Sequence, residues 1–318
     1  EADTLETVQG AVKRDIQAYH VIEDAEGRIV ALSNTEYLEL EQTEREQSNQ
    51  PAESVLLVAY ILTDMAYRKR GIGSELYQDF YQFALQEAQA RNHRLKGVIG
   101  EAVETVEAFL NRMGRKRIYF EDNEGNTREV PYMQAPIDWN PKTGEPLRDV
   151  APEHLMVRLT DGRQEMAVEE LLPMVKAIYK EHYIFSSDFF RSKKAYRSCE
   201  QTVMGQLDDL REKLRQAKGN RLFFMNIEER ETRKKELQAQ GKRLFEWGEG
   251  GHFQAVPFDS EALDKGAVVF EEPLQKEAHD RSLVKIESIV PGDVQEAINI
   301  LKQHPAYFTE NDIKVALH

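Results

Sequence analysis

Residues 55–74 constrain the fold of this chain more than any other stretch. Val55 to Leu62 is a nearly continuous apolar run, followed at once by Thr63-Asp64-Met65-Ala66-Tyr67-Arg68-Lys69-Arg70-Gly71-Ile72-Gly73-Ser74, and then by Leu76, Phe80, Phe83 and Ala84 at helical spacing. A strand that is apolar on both faces belongs in the middle of a sheet, covered on each side. A chain that leaves such a strand through a glycine-bearing loop and enters an amphipathic helix is committed to a mixed α/β arrangement, with the loop at the helix N-terminus. Gly-x-Gly alone is a weak signal, and the strand before it and the helix after it give it weight.

The loop also reverses the local charge. The 318 residues carry a formal net charge of −14, yet Arg68, Lys69 and Arg70 stand together immediately before the glycines. Backbone N–H groups and the positive end of a helix dipole converge on such a place, and glycine lets an anion approach the backbone. An anionic ligand is the expected reason for three adjacent cations in an acidic protein. The same overall balance argues against a nucleic-acid surface, which needs clustered Lys and Arg. No apolar run reaches the roughly 18–20 residues that span a bilayer, and the N-terminus lacks the basic-then-apolar order of a signal peptide. A soluble, cytoplasmic protein without membrane contact is the expectation. Cys199, the one cysteine, lies in a helical pattern and reads as a buried small apolar residue rather than a reactive thiol.

Along the chain, Leu5, Val8, Val12 and Ile16 predict an opening helix, and Tyr19–Glu23 and Ile29–Leu40 predict an antiparallel pair turning at Asp24-Ala25-Glu26-Gly27. The 41–53 stretch reads as a solvated loop. A strand is expected at Arg94–Ile99, then a helix at Val103–Met113 closed by Gly114, then strands at Arg115–Glu121 and Leu155–Thr160. The 122–152 segment holds five prolines, and a lid and a passive surface loop are equally open readings. Beyond Glu165 the pattern turns helical. Met166, Leu171, Val175, Ile178 and Tyr179 suggest one helix, and Tyr196, Val203, Leu210 and Ala217, with Leu207 and Leu214, a longer one whose seam is read as intrachain in preference to intermolecular. Residues 227–243 read as a solvated helix, and Phe253–Phe258 and Ala267–Glu271 as strands. The glycines at 248, 250 and 251 make a weak phosphate site.

The order Arg68-x-x-Gly71-x-Gly73 between a buried strand and an amphipathic helix resembles the acetyl-CoA motif of the GNAT N-acetyltransferase superfamily. The resemblance continues through Arg94–Ile99 and through Val103-x-x-Val106-x-x-Phe109-Leu110-Asn111-Arg112-Met113-Gly114, covering about residues 1–160. It implies a mixed, mostly antiparallel central sheet flanked by helices. It also implies acetyl-CoA as cosubstrate without a metal, its pantetheine arm along Leu62 and Thr63 and its pyrophosphate on Arg68, Lys69, Arg70, Gly71, Ile72, Gly73 and Ser74. Such enzymes transfer the acetyl group by direct attack of an amine, here of a small molecule or peptide. Glu101 is the preferred catalytic base, with Glu36 and Tyr60 behind it, and a plain surface carboxylate is the competing reading of Glu101. Many members carry a Tyr that protonates the CoA sulfur, and this chain has Leu110 at the matching position.

Leu110 keeps a second function open, a non-catalytic acyl-CoA-binding module. Transfer of a longer acyl group such as succinyl is a third, for which the sequence offers no discriminating residue. Residues 161–281 are expected as a mainly helical accessory domain, and a homodimer stays open. The segment Val284–Leu301 reads as strand, turn and helix and resembles a GNAT N-terminus, which the first domain lacks. A circular permutation or a second copy would use residues 282–318 to complete the fold, and an unrelated strand-helix unit is the competing reading.

Overall fold

The structure, a computed structural model, describes residues 16–41, 51–68, 70–102, 104–136, 139–147, 152–184, 189–247 and 283–290, with isolated positions up to 303. The predicted opening helix, most of the 41–53 loop, Lys69, the glycines at 248, 250 and 251 and the strands predicted at 253–258 and 267–271 lie outside these residues, apart from Ile16 at the helix end.

The strands are β1 (Gln17–Asp24), β2 (Ile29–Glu39), β3 (Ala52–Thr63), β4 (His93–Ala102), β5 (Lys116–Glu121), β6 (Thr127–Glu129), β7 (His154–Leu159), β8 (Glu165–Ala167), β9 (Arg221–Met225), β10 (Leu244–Phe245) and β11 (Leu283–Ile289). The helices are α1 (Ile72–Ala90), α2 (Glu104–Arg112), α3 (Val168–Ala177), α4 (Lys193–Leu214) and α5 (Ile227–Ala239). The sheet runs β10-β6-β5-β7-β4-β3-β2-β1-β11, with β9 joined to β5 and β8 to β9. Among the described residues only β3–β4 and β6–β10 pair in parallel, so the fold is mixed α/β with a mostly antiparallel sheet flanked by helices.

Alternation along β3 explains its central place. Val55 and Leu57 face one layer, formed by residues 130–139, α3 and α4, while Leu56 and Val58 face α1 through Tyr77, Phe80, Ala84 and Ala88. Each such side chain contributes about 1.5–3 kcal/mol on burial. The β1–β2 turn is set by Asp24, whose carboxylate accepts from the backbone N–H of Glu26 (3.1 Å) and Arg28 (2.9 Å), with Gly27 at φ +76°. Gly114, at φ +82°, ends α2 as its spacing predicts.

The segment from 161 onward enters the same sheet through β8, β9 and β10. On α4, Ala195, Cys199, Val203, Leu207, Leu210 and Leu214 are buried in the core that also holds Leu38, Leu57 and Ile99, so the heptad seam packs within the chain. The proline-rich excursion puts Val130, Tyr132, Ala135 and Trp139 into that core and is not a passive surface loop. In α5 only Arg230 and Leu237 are buried, as a solvated helix requires. At the far edge β11 pairs antiparallel with β1, from Tyr19 opposite Ile289 to Asp24 opposite Leu283.

Candidate active site at the parting of two strands

β3 and β4 are neighbours over only part of their length. Their rungs run from Ala52 opposite His93 to Leu57 opposite Ile99, yet β3 continues to Thr63 and β4 to Ala102. Beyond Leu57, β3 stays with β2, and Asn34 faces Tyr60 while Thr35 faces Val58, leaving Ala59 as an extra, bulged residue. A bulge bends its strand and sharpens its twist. β4 meanwhile stays with β7 out to Ala102 opposite His154. The sheet therefore opens between Val58 and Gly100, and the opening widens toward Thr63.

The loop expected to bind an anion stands at the wide end. Gly71 caps α1 in the left-handed region at φ +85°, no side chain caps the helix, and the Ser74 and Glu75 N–H groups return to the Gly71 carbonyl. Gly73 lies against α2, since a Cβ there would meet the Phe109 ring at 3.2 Å and the Thr63 hydroxyl at 3.9 Å. Arg68 donates through Nε to the Thr63 carbonyl at 3.1 Å, which folds the loop back onto the end of β3. Arg70 is exposed and lies 5.2 Å from the Tyr67 ring centroid. Ile72 is buried among Ile22, Val30, Ala31 and Leu76 and anchors the helix start, while Leu62 and Ser74 are half-buried. Arg68, Arg70, Gly71, Gly73 and Thr63 thus converge at one end of the opening. Leu110 is buried with Ala102 and Met156, and the residue α2 offers to the loop is the apolar Phe109.

The candidate bases occupy the opposite face. Glu101 accepts hydrogen bonds from the hydroxyls of Tyr132 and Tyr183 and, at 3.4 Å, from the Gln134 amide. Burial first, then the Glu101 charge, push both tyrosines well above their ordinary range, so they are neutral donors. Glu36 is fully buried, 3.0 Å from His182 Nδ1, and its other oxygen has no partner among the described residues. Consecutive residues His182 and Tyr183 therefore reach the two glutamates, because α3 runs into a single π-helical turn at Ile178–Tyr183. Tyr60 sits past the bulge, half-buried against Tyr19, Val21, Ile29, Leu32 and Ile300, in a different apolar cluster from Tyr132 and Tyr183.

Sequence reasoning missed Tyr132, His182, Tyr183 and Arg115. Arg115, between α2 and β5, is 1% exposed and has no acidic partner among the described residues. Burial, opposed by the nearby Tyr77 hydroxyl, pushes its guanidinium down to about 10, which leaves it cationic at neutral pH. Among the described residues no group of three or more His, Cys, Asp or Glu is placed to hold a metal ion, and no helix is long and apolar enough to cross a membrane.

No family model matches the chain, and no curated protein sequence does. Solved structures similar to part of it include a bacterial toxin, with 24% identity over 29% of this chain and 52% of that one at a TM-score of 0.24. Arabidopsis thaliana NAA60 in complex with acetyl-CoA shows 10% identity over 42% of this chain and 67% of that one, with a TM-score of 0.27. An acetyltransferase from Trypanosoma brucei shows 19% identity over 32% and 63%, with a TM-score of 0.25. This chain thus spans about half the length of the toxin it matches. At such TM-scores the description of the fold rests on the strand order itself.

Proposed function

We propose that this chain is an acyltransferase that takes an acyl-CoA thioester between β3 and β4 and passes the acyl group to an amine on the Glu101 face. The observation that carries this reading is the parting of the two strands after Leu57 and Ile99, beside the glycine-capped N-terminus of α1. Residues 68–74 are suited to a pyrophosphate, and the edge of β3 that leaves β4 after Leu57 is suited to offer backbone groups to an extended arm. Acyl-CoA supplies an activated carbonyl carbon. The acceptor nitrogen bonds to that carbon, the carbon–sulfur bond breaks, the sulfur keeps the electron pair, and the amine proton passes to a base.

Glu101 is the nearer base to the opening, with Glu36 and His182 as a second pair on the same face. Leu110 leaves the thiolate without an acid at that position, which favours departure as the anion or through another group. The same residue supports the second reading, an acyl-CoA-binding module without turnover. The β1–β11 pairing supports the view that residues 282–318 supply the opening strand and helix of this domain.

Calorimetry of the full chain with acetyl-CoA and CoA tests the binding step, and mass spectrometry of small-molecule and peptide amines tests transfer. The expected result is binding that weakens about ten-fold or more in Arg68→Glu, where a favourable charge contact becomes repulsive. A folded protein that binds neither thioester nor CoA would overturn the proposal, and binding without acylation of any amine would select the second reading.

A further inference from the structure

The buried guanidinium of Arg115 has no place in the chemistry above, and it lies at the narrow end of the same opening. A Cβ added to Gly100 would collide with that guanidinium and would come within 2.8 Å of the Val58 carbonyl oxygen. Val58 and Gly100 are the first residues past the last rung, Leu57 opposite Ile99. Arg115 therefore sits at the apex, and glycine at position 100 is what leaves it room. Thr63 lies about 16 Å from Val58 along β3 at the usual strand rise. A ligand with its anionic end on residues 70–74 and its arm along β3 directs its acyl end toward this point.

Two nitrogens of Arg115, Nε and Nη2, have no hydrogen-bond partner among the described residues. These two form one edge of the planar guanidinium, the edge that engages a carboxylate through two parallel hydrogen bonds. A cation removed from water with no counter-ion is costly, and a bound anion is what would offset that cost. A neutral thioester carbonyl would use one donor and leave the charge uncompensated. We propose that Arg115 selects an acyl group bearing its own carboxylate, of the malonyl or succinyl kind, at the apex of the β3–β4 opening. The assignment rests on the acyl-CoA reading and names the substrate class of that site.

The test is calorimetry of the full chain with succinyl-CoA, acetyl-CoA and CoA, for the wild type, Arg115→Met and Arg115→Lys. The wild type is expected to bind succinyl-CoA about ten-fold or more tighter than acetyl-CoA, the scale of hydrogen bonds to a charged group. Arg115→Met is expected to abolish that preference while keeping CoA and acetyl-CoA affinity within about three-fold, and Arg115→Lys to retain part of it. Thermal unfolding provides a readout that a merely structural arginine would move the other way, because replacing an unpaired buried charge with Met should leave the midpoint unchanged or raise it. Should Arg115→Met fail to fold, the wild-type preference and the Arg115→Lys result decide. Equal affinity for the two thioesters, or a preference that survives in Arg115→Met, would overturn the assignment while leaving the acyl-CoA reading intact. Failure of every form to bind CoA would remove both.

Discussion

Arg115 and Arg117 are two residues apart at the entrance to β5, and both are buried, at 1% and 2% exposure. Arg117 is surrounded by acid. Glu107 of α2 is bonded to its Nη2, and Glu129 and Glu246 lie 3.5 and 3.7 Å from its Nη1. Arg230 of α5 shares Glu107 at 2.9 Å, and His154 lies 2.7 Å from Glu129. That network ties α2, β5, β6, β7 and α5 together. Among the described residues Arg115 has no such acidic partner. A buried charge whose partners are internal belongs to the architecture, and one whose partner is missing points to a ligand.

The largest expected effect breaks the paired member. Arg117→Met takes one of its two cations from the buried Glu107 and leaves Glu129 with His154, and is expected to cost about 3 kcal/mol, whereas Arg115→Met is expected to cost nothing. Urea unfolding of the two variants measures the gap, and equal losses would erase the distinction. Gly100→Ala comes next, at about 1–3 kcal/mol from overpacking against the guanidinium and the Val58 carbonyl. Its cost should change by about 0.5 kcal/mol or more in an Arg115→Met background, because the two positions touch. A strictly additive double-mutant cycle would place the guanidinium elsewhere.

Glu101 gives the smallest effect, since this anion is held by neutral hydroxyls where Glu107 is held by cations. Tyr132 and Tyr183 have folded pKa values above the unfolded value, so the stability they contribute is fully present below about pH 10 and is lost as the pH rises from there toward the folded values. Glu101→Gln removes the charge that helps raise both, and its loss of stability above about pH 10 is expected to level off at a lower pH than in the wild type. Coincident alkaline profiles in variant and wild type would mean that burial alone sets the two tyrosines.

Some of this was legible in the chain. The strand-like run at Tyr19–Glu23, the double-sided apolar run at Val55–Leu62 and the 3.6-residue period after Gly73 pointed to strands, helix and loop, because each reports local burial. Cys199 and the heptad on α4 were readable for the same reason. Strand β9 was not, since five residues, Arg221–Met225, are too short a run to show a period. The π turn was hidden inside a helical pattern, and it is what turns His182 and Tyr183 toward Glu36 and Glu101. Contiguous residues alone specify the central strand, the cationic glycine loop and the helix that follows. Packing between remote segments sets the parting of β3 and β4 after Leu57 and Ile99, the hold of distant tyrosines on Glu101, and the absence of an acidic partner for Arg115, among the described residues, where Arg117 has three. Those facts depend on which remote side chains arrive within hydrogen-bonding distance, and no local period encodes that.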